Sequence, residues 1–210
     1  MKQRAVIFDF NGTIADTSKI TFDAINKMSE KYGYEKITME EVLSLRDKDI
    51  REIVKMYKIP FYKLPFILRD IRKEMADNIK DALAYNGLKQ LLTKLKKEKF
   101  LLFVVSSDSG DNIRAFLKNN DINIFDKIFG DLGLFAKSKI VKNIVSSENL
   151  GANEVYYVGD EVRDIECGRK AGVRVISVSW GFNTRKSLEK YSPDFIADEP
   201  EQILDFLKKD

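Results

Sequence analysis

Histidine is absent from the 210 residues of this chain. That absence excludes a histidine-based catalytic triad, histidine metal sites and an imidazole general base. Serine is frequent, but nothing here activates it as histidine would, so acid–base and metal chemistry must run on carboxylates and lysine. Cysteine is almost as scarce. Cys167 stands alone, which rules out an intrachain disulfide and fits a reducing compartment. Net charge is nearly missing too: 36 basic and 33 acidic residues leave +3. Phosphate-backbone binders concentrate basic charge, so no nucleic-acid partner is expected. The run Lys94, Lys96, Lys97 and Lys99 closes an amphipathic helix and reads as a solvated face. No apolar stretch approaches the ~18–20 residues of a membrane span. The opening Met-Lys-Gln-Arg and its short apolar run lack the long apolar region of a signal peptide. The expected location is the cytoplasm, without a membrane partner.

What is present is strand–helix alternation. Ala5–Phe8 is a short, unbroken apolar run that ends abruptly in Asp9-Phe10-Asn11-Gly12-Thr13, the pattern of a buried parallel strand. It recurs at Leu101–Val105, Val155–Val158 and Val173–Val178, with a shorter strand expected at Phe195–Ala197 before Pro200 opens a last helix. Helices are expected at Asp111–Lys118, at Lys139–Ser147 with Ser138 as N-cap, and at Ile165–Ala171 closed by Gly172. The fold class is therefore α/β, a Rossmann-like parallel sheet with helices on both faces. The stretch from Thr17 to Ala82 breaks the alternation. It shows only helical periodicity, at Ile20–Tyr32, Met39–Leu45, Ile50–Tyr57 and Leu64–Lys80, and reads as an inserted all-helical cap. The expected division is a core of residues 1–16 and 83–210 and a cap of residues 17–82.

Parallel strands deliver their C-terminal ends to one edge, where ligands bind. Asp9 and Asn11, Ser106, and Asp160 with Asp164 all follow such ends, and Lys137 opens a helix leading there. Carboxylates, a hydroxyl and an ammonium facing one crevice suit a phosphate held with a hard cation. Asp9 can form an acyl-phosphate, dividing one difficult displacement into two easier ones. Asp9 and Asp160 supply oxygen ligands for Mg²⁺. Gly12 lets backbone amides approach phosphate, with further donors near Thr13. Ser106 donates to a phosphoryl oxygen and Lys137 offsets charge growing in the transition state. Asp164, one helical turn beyond Asp160, either orients a metal-bound water or holds Lys137. Taken singly these residues have blander readings as turn formers, caps and surface charge. Arg46 and Lys48 read as solvated charge, and Trp180 and Cys167 as packing residues.

Taken in order, the motifs resemble the haloacid dehalogenase-like superfamily across nearly the whole chain. Asp9-Phe10-Asn11-Gly12-Thr13 is similar to its first motif, Val105-Ser106-Ser107 to the second, Lys137 to the third, and Val158-Gly159-Asp160 through Asp164 to the fourth. Lys137 is selected over Lys139 by its distance from Leu150-Gly151, with Lys139 as fallback. The helical block sits where C1 caps are inserted, which implies the subgroup resembling phosphoglycolate phosphatases. The resemblance implies Asp9 as nucleophile and metal ligand, the Asn11 backbone carbonyl and Asp160 as further ligands, and Mg²⁺ as cofactor. It implies Ser106, Ser107 and Lys137 as phosphate contacts and a small phosphorylated metabolite as substrate.

One position departs from the pattern. Most phosphatases of the family carry aspartic acid where Asn11 stands, to protonate the leaving oxygen and then activate water. An amide has no proton to cycle at neutral pH, and losing a general acid–base forfeits ~10²–10⁴-fold. Three explanations stand side by side: another acid substitutes, the chemistry has moved to one that needs no such group, or Asn11 reflects a substitution or deamidation chemistry at Asn11-Gly12. The alternative function is a phosphate- and Mg²⁺-binding protein with little turnover.

Overall fold

A strand covered on both faces must be apolar at every position, and that requirement shapes the centre of this molecule. The structure is a computed structural model that describes residues 2–48, 50–133 and 136–209. The first half of the chain forms β1 (Ala5–Phe8), β2 (Ala15–Asp16), α1 (Ser18–Tyr32), α2 (Met39–Leu45), α3 (Ile50–Met56), α4 (Leu64–Asn78), β3 (Leu83–Ala84) and α5 (Leu88–Lys97). There follow β4 (Leu101–Val105), α6 (Gly110–Asn119), β5 (Lys127–Phe129), α7 (Lys137–Ser147), β6 (Val155–Gly159), α8 (Val162–Ala171), β7 (Arg174–Val178), α9 (Arg185–Glu189), β8 (Phe195–Ala197) and α10 (Pro200–Lys209).

Six strands make one parallel sheet in the order β5-β4-β1-β6-β7-β8. In β1, Val6 and Phe8 pack on one face with Leu102, Val104, Tyr156 and Val158. Ala5 and Ile7 pack on the other with Phe103, Val105, Val155 and Tyr157. Strict alternation over three adjacent strands explains why their sequences are apolar throughout. Helices α5, α6 and α10 cover the first face through Leu92, Phe116 and Leu207; α7 and α8 cover the second through Val141, Ile144 and Cys167. At about 1.5–3 kcal/mol for each large apolar side chain buried, these contacts outweigh the exposed ion pairs on the surface, worth about 0–1 kcal/mol each.

The strand order places β1 and β6 side by side, in register from Ala5↔Val155 to Phe8↔Val158. The chain leaves β1 toward β4 and β5 on one side, then crosses to continue outward from β6 on the other. Neighbouring strands whose connections diverge open a crevice at their C-terminal ends.

The stretch between β2 and β3 is helical. Helices α1 and α4 pack together through Ala24, Met28, Ile67 and Met75. Asp70 joins them by accepting from Lys31 at 2.5 Å and from the Tyr32 hydroxyl at 2.7 Å. Thr38 and Glu41 form a reciprocal capping box that fixes the start of α2. Among the described residues no helix is long and apolar enough to cross a membrane.

Several local expectations needed correction. β5 was not anticipated, because an edge strand of three residues beginning with a lysine shows no apolar run. The antiparallel pair β2–β3, with Ala15↔Ala84 and Asp16↔Leu83, is too short to leave a period. Ser138 is not the cap of α7. The helix begins one residue earlier, at Lys137, behind Ala136 and without a side-chain cap. Gly172, by contrast, closes α8 in the left-handed conformation, φ 80°.

The double-sided core yields a contrast to measure. Ile7→Ala, at a fully buried position, is expected to cost about 2–5 kcal/mol. Leu43→Ala on the exposed side of α2 should stay within about 0.5 kcal/mol. Urea denaturation midpoints of the two variants check both values.

Candidate active site

Each strand end supplies its polar group for a local reason. The Asp9 N–H donates to Val158 O at 2.9 Å, extending the β1–β6 ladder by one residue. Its carboxylate is thereby carried over the crevice. One oxygen, Oδ1, accepts from the Phe10 N–H at 2.7 Å, and Oδ2 accepts from Lys137 Nζ at 2.7 Å. Lys137, in the first turn of α7, also reaches Asp164 Oδ1 at 3.3 Å. The same Asp164 oxygen accepts from the Tyr157 hydroxyl at 3.3 Å, while Oδ2 accepts from the Glu161 N–H at 3.1 Å. Asp164 thus caps the start of α8 and holds the lysine at once. Lys139, the fallback, is exposed.

Asp160 follows β6 and is gripped from two sides. Thr13 Oγ1 donates to Oδ1 at 2.8 Å, and the Phe182 N–H donates to Oδ2 at 2.7 Å. Gly12 is required beneath it: φ is +75°, and a Cβ there would lie 2.2 Å from Asp160 Oδ2. Gly12 was expected to let backbone amides approach phosphate, with further donors near Thr13. The N–H groups of these two residues turn inward, to Ala15 O at 2.9 Å and Phe10 O at 3.3 Å. Thr13 is wholly buried, so both residues shape the turn and hold Asp160. Trp180 Nε1 donates to Thr13 O at 3.2 Å and its ring tilts against Tyr85 with centroids 6.1 Å apart, a packing role.

Asp9, Asp160 and Asp164 are 6 %, 1 % and 2 % exposed, and each offers an oxygen within 4.8 Å of the others. Burial pushes the Asp9 carboxyl up to about 7; Lys137 pulls it back and Asp164 adds to the rise. Burial likewise drives Asp160 well above the ordinary carboxyl range, reinforced by Glu161, Asp164 and Asp9. For Lys137 burial opposes the charge, but Asp164 and Asp9 together hold the ammonium above its usual range.

Ser106 follows β4, its N–H on Phe129 O at 2.9 Å. Its hydroxyl accepts from the Asp108 N–H at 3.1 Å and retains a proton to donate. Ser107 is half-buried beside it. Asn11 Nδ2 reaches Asp108 Oδ2 at 3.4 Å, and Asn11 Oδ1 is buried with no partner among the described residues.

Three participants escaped the sequence reading: Tyr157, the Phe182 N–H and Arg46. Arg46 is not solvated charge. Its guanidinium donates to Phe182 O at 2.7 Å, Gly181 O at 2.6 Å and Ser179 O at 3.3 Å. Backbone donors and acceptors leave no mark in a sequence, whereas Tyr157 is hidden inside an apolar strand.

With this architecture in view, comparison with known proteins gives a consistent answer. The model of the haloacid dehalogenase-like hydrolases matches residues 6–178, and the chain belongs to that family. A phosphoglycolate phosphatase of Synechococcus elongatus is 29% identical over 202 residues, spanning 96% of this chain and 95% of the relative. A pyrophosphatase of Bacillus mycoides is 22% identical over 216 residues, covering 100% and 99%. Among solved structures, a haloacid dehalogenase-like family hydrolase from Streptococcus pneumoniae superposes with a TM-score of 0.81 at 20% identity, covering 98% of each chain.

The turn under Asp160 can be tested by itself. Gly12→Ala forces an alanine into a left-handed conformation, costing about 1–3 kcal/mol before any clash with Asp160. Gly133→Ala, where an added Cβ meets nothing within 4 Å, should melt like the parent protein. Thermal unfolding followed by circular dichroism compares the two.

Proposed function

We propose that this protein is a Mg²⁺-dependent phosphatase that hydrolyses a small phosphomonoester through an aspartyl-phosphate on Asp9. The observation that carries the reading is the buried Asp9 carboxylate, held 2.7 Å from Lys137 within a cluster of three carboxylates. Residues 17–82 act as a cap over a core of residues 1–16 and 83–210. The phosphoglycolate phosphatase and pyrophosphatase relatives support a small phosphorylated metabolite as substrate, and the single thiol supports a cytoplasmic setting.

The residues fit a hard cation. Three buried carboxylates lie together and one ammonium pairs with two of them, Asp9 and Asp164, and burial has raised Asp9 and Asp160 toward their protonated forms. Unit charges about 4 Å apart interact by about 4 kcal/mol at an effective dielectric of ~20, so one lysine cannot balance the set. All-oxygen donors of this kind suit Mg²⁺. Asp9, Asp160 and the Asn11 backbone carbonyl would hold it, with Asp164 beside them. When bound, the cation supplies charge neutralisation between an anionic nucleophile and an anionic substrate.

The protein's own groups then divide the work. An Asp9 oxygen forms the new bond to phosphorus as the ester P–O bond breaks, and the departing oxygen takes a proton from water. Water next cleaves the acyl-phosphate, releasing inorganic phosphate and restoring the carboxylate. Lys137 favours the anionic form of Asp9 against the effect of burial and offsets charge on the phosphoryl oxygens, and the Ser106 hydroxyl donates to one of them. Asn11 can position but cannot exchange a proton. The proton steps are therefore the slow ones. An aspartate at this position would lie against Asp108 and would restore a carboxyl able to give and take a proton.

Asp9→Asn is expected to abolish Mg²⁺-dependent turnover of p-nitrophenyl phosphate, and retained activity would sink the mechanism. Asn11→Asp is expected to raise kcat by about 10²–10⁴-fold. If neither the parent nor Asn11→Asp turns over while both bind Mg²⁺ and phosphate, the binding-protein reading prevails.

A further inference from the structure

The loop after β7 ties Asp160 to the helical segment through two consecutive peptide groups. Arg46 Nη2 donates to Gly181 O at 2.6 Å, and the N–H of that same peptide, on Phe182, donates to Asp160 Oδ2 at 2.7 Å. Arg46 Nε donates to Phe182 O at 2.7 Å, and the N–H of that next peptide, on Asn183, donates to Asp160 O at 3.2 Å. Asn183 closes the circuit. Its Nδ2 donates to Arg46 O at 2.6 Å, and its Oδ1 accepts from the Val162 N–H at 3.0 Å, at the start of α8. Thr184 Oγ1 adds a hydrogen bond to Asp47. Gly181 permits the approach: a Cβ there would stand 2.2 Å from Asp160 Cβ.

We infer that Arg46 and Asn183 are positioning residues for Asp160, so that the helical segment completes the cation site as well as covering it. A guanidinium on the carbonyl side of each peptide polarises the N–H on the other side, and chained hydrogen bonds of this kind reinforce one another. The Phe182 N–H is thereby fixed against one Asp160 oxygen while Thr13 fixes the other. Groups that orient a metal-binding carboxylate in this way influence affinity although they never touch the ion. The inference rests on the reading of Asp160 as a cation ligand.

The two effects of Arg46 have opposite signs, which makes the inference testable. Its charge, acting through space, disfavours a nearby cation; its positioning of Asp160 favours one. Mn²⁺ binding to the full chain, without substrate, is measured by the electron paramagnetic resonance of the free ion. Arg46→Gln is expected to weaken Mn²⁺ binding about 10-fold with an unchanged thermal midpoint. Arg46→Lys, which can keep one of the carbonyl contacts, should recover part of the loss. Asn183→Ala should weaken binding less than additively when combined with Arg46→Gln, since both act through one loop. Unchanged or tighter Mn²⁺ binding in folded Arg46→Gln overturns the inference, as does a rise in KM for p-nitrophenyl phosphate with Mn²⁺ affinity intact. Failure of the parent protein to bind Mn²⁺ overturns the underlying reading of the cluster, and this inference with it.

Discussion

Three carboxylates buried beside one another, with Lys137 paired to two of them, are the constraint on which the rest of this site depends. Burial alone would neutralise them by protonation, and Asp9 and Asp160 are already pushed that way. What keeps the cluster ionisable is the density of donors directed at it: Lys137 on Asp9 and Asp164, the Phe10 N–H on Asp9, Thr13 and Phe182 on Asp160, Glu161 and Tyr157 on Asp164. These donors come from β6 and from the segments after β1, β6 and β7, as well as from the first turn of α7. The sheet order is what makes their convergence possible, because β1 and β6 must be neighbours with diverging connections. A fold without that switch point could carry the same residues and never assemble them.

The two outer carboxylates are held in different ways. Asp164 is secured within its own neighbourhood, by the capping box at the start of α8 and by a tyrosine one strand-end away. Asp160 depends on distant sequence, on Thr13 from the first turn and on a loop that the helical segment grips through Arg46. Local support for one carboxylate and relayed support for the other means that disturbance of the helical segment reaches the cluster at Asp160 first.

How much of this was legible beforehand follows from what each feature needs. β1, β4 and β6 are apolar at successive positions because both faces are buried, and so they stood out. β5 is an edge strand and β2–β3 spans two residues on each side, so neither had a period to detect. Asp9, Lys137, Asp160 and Asp164 were recognisable because side-chain chemistry and chain order together form motifs. The contacts of Gly12 and Thr13 could not be read from the sequence, for a physical reason. The same residues that make a tight turn able to present amides to a ligand also allow those amides to be consumed inside the turn, and only the backbone path decides between the two. Arg46 was misread because its acceptors are carbonyl oxygens, which every residue possesses.

Asn11 stands apart from the contacts that hold the carboxylate cluster. Substituting an amide for a carboxyl removes one negative charge and one exchangeable proton without altering shape. Nothing in the support of Asp9 or Asp160 passes through that side chain: its Nδ2 faces Asp108 and its Oδ1 has no partner among the described residues. The backbone at Asn11 stays pinned by its bridge to Ala15, so a carbonyl ligand there is independent of the side chain. The contacts that hold Asp9 and Asp160 and the side chain at position 11 are therefore separate. Because the two are separate, an amide at position 11 leaves the packing of the cluster as it is and removes only a group that could exchange a proton.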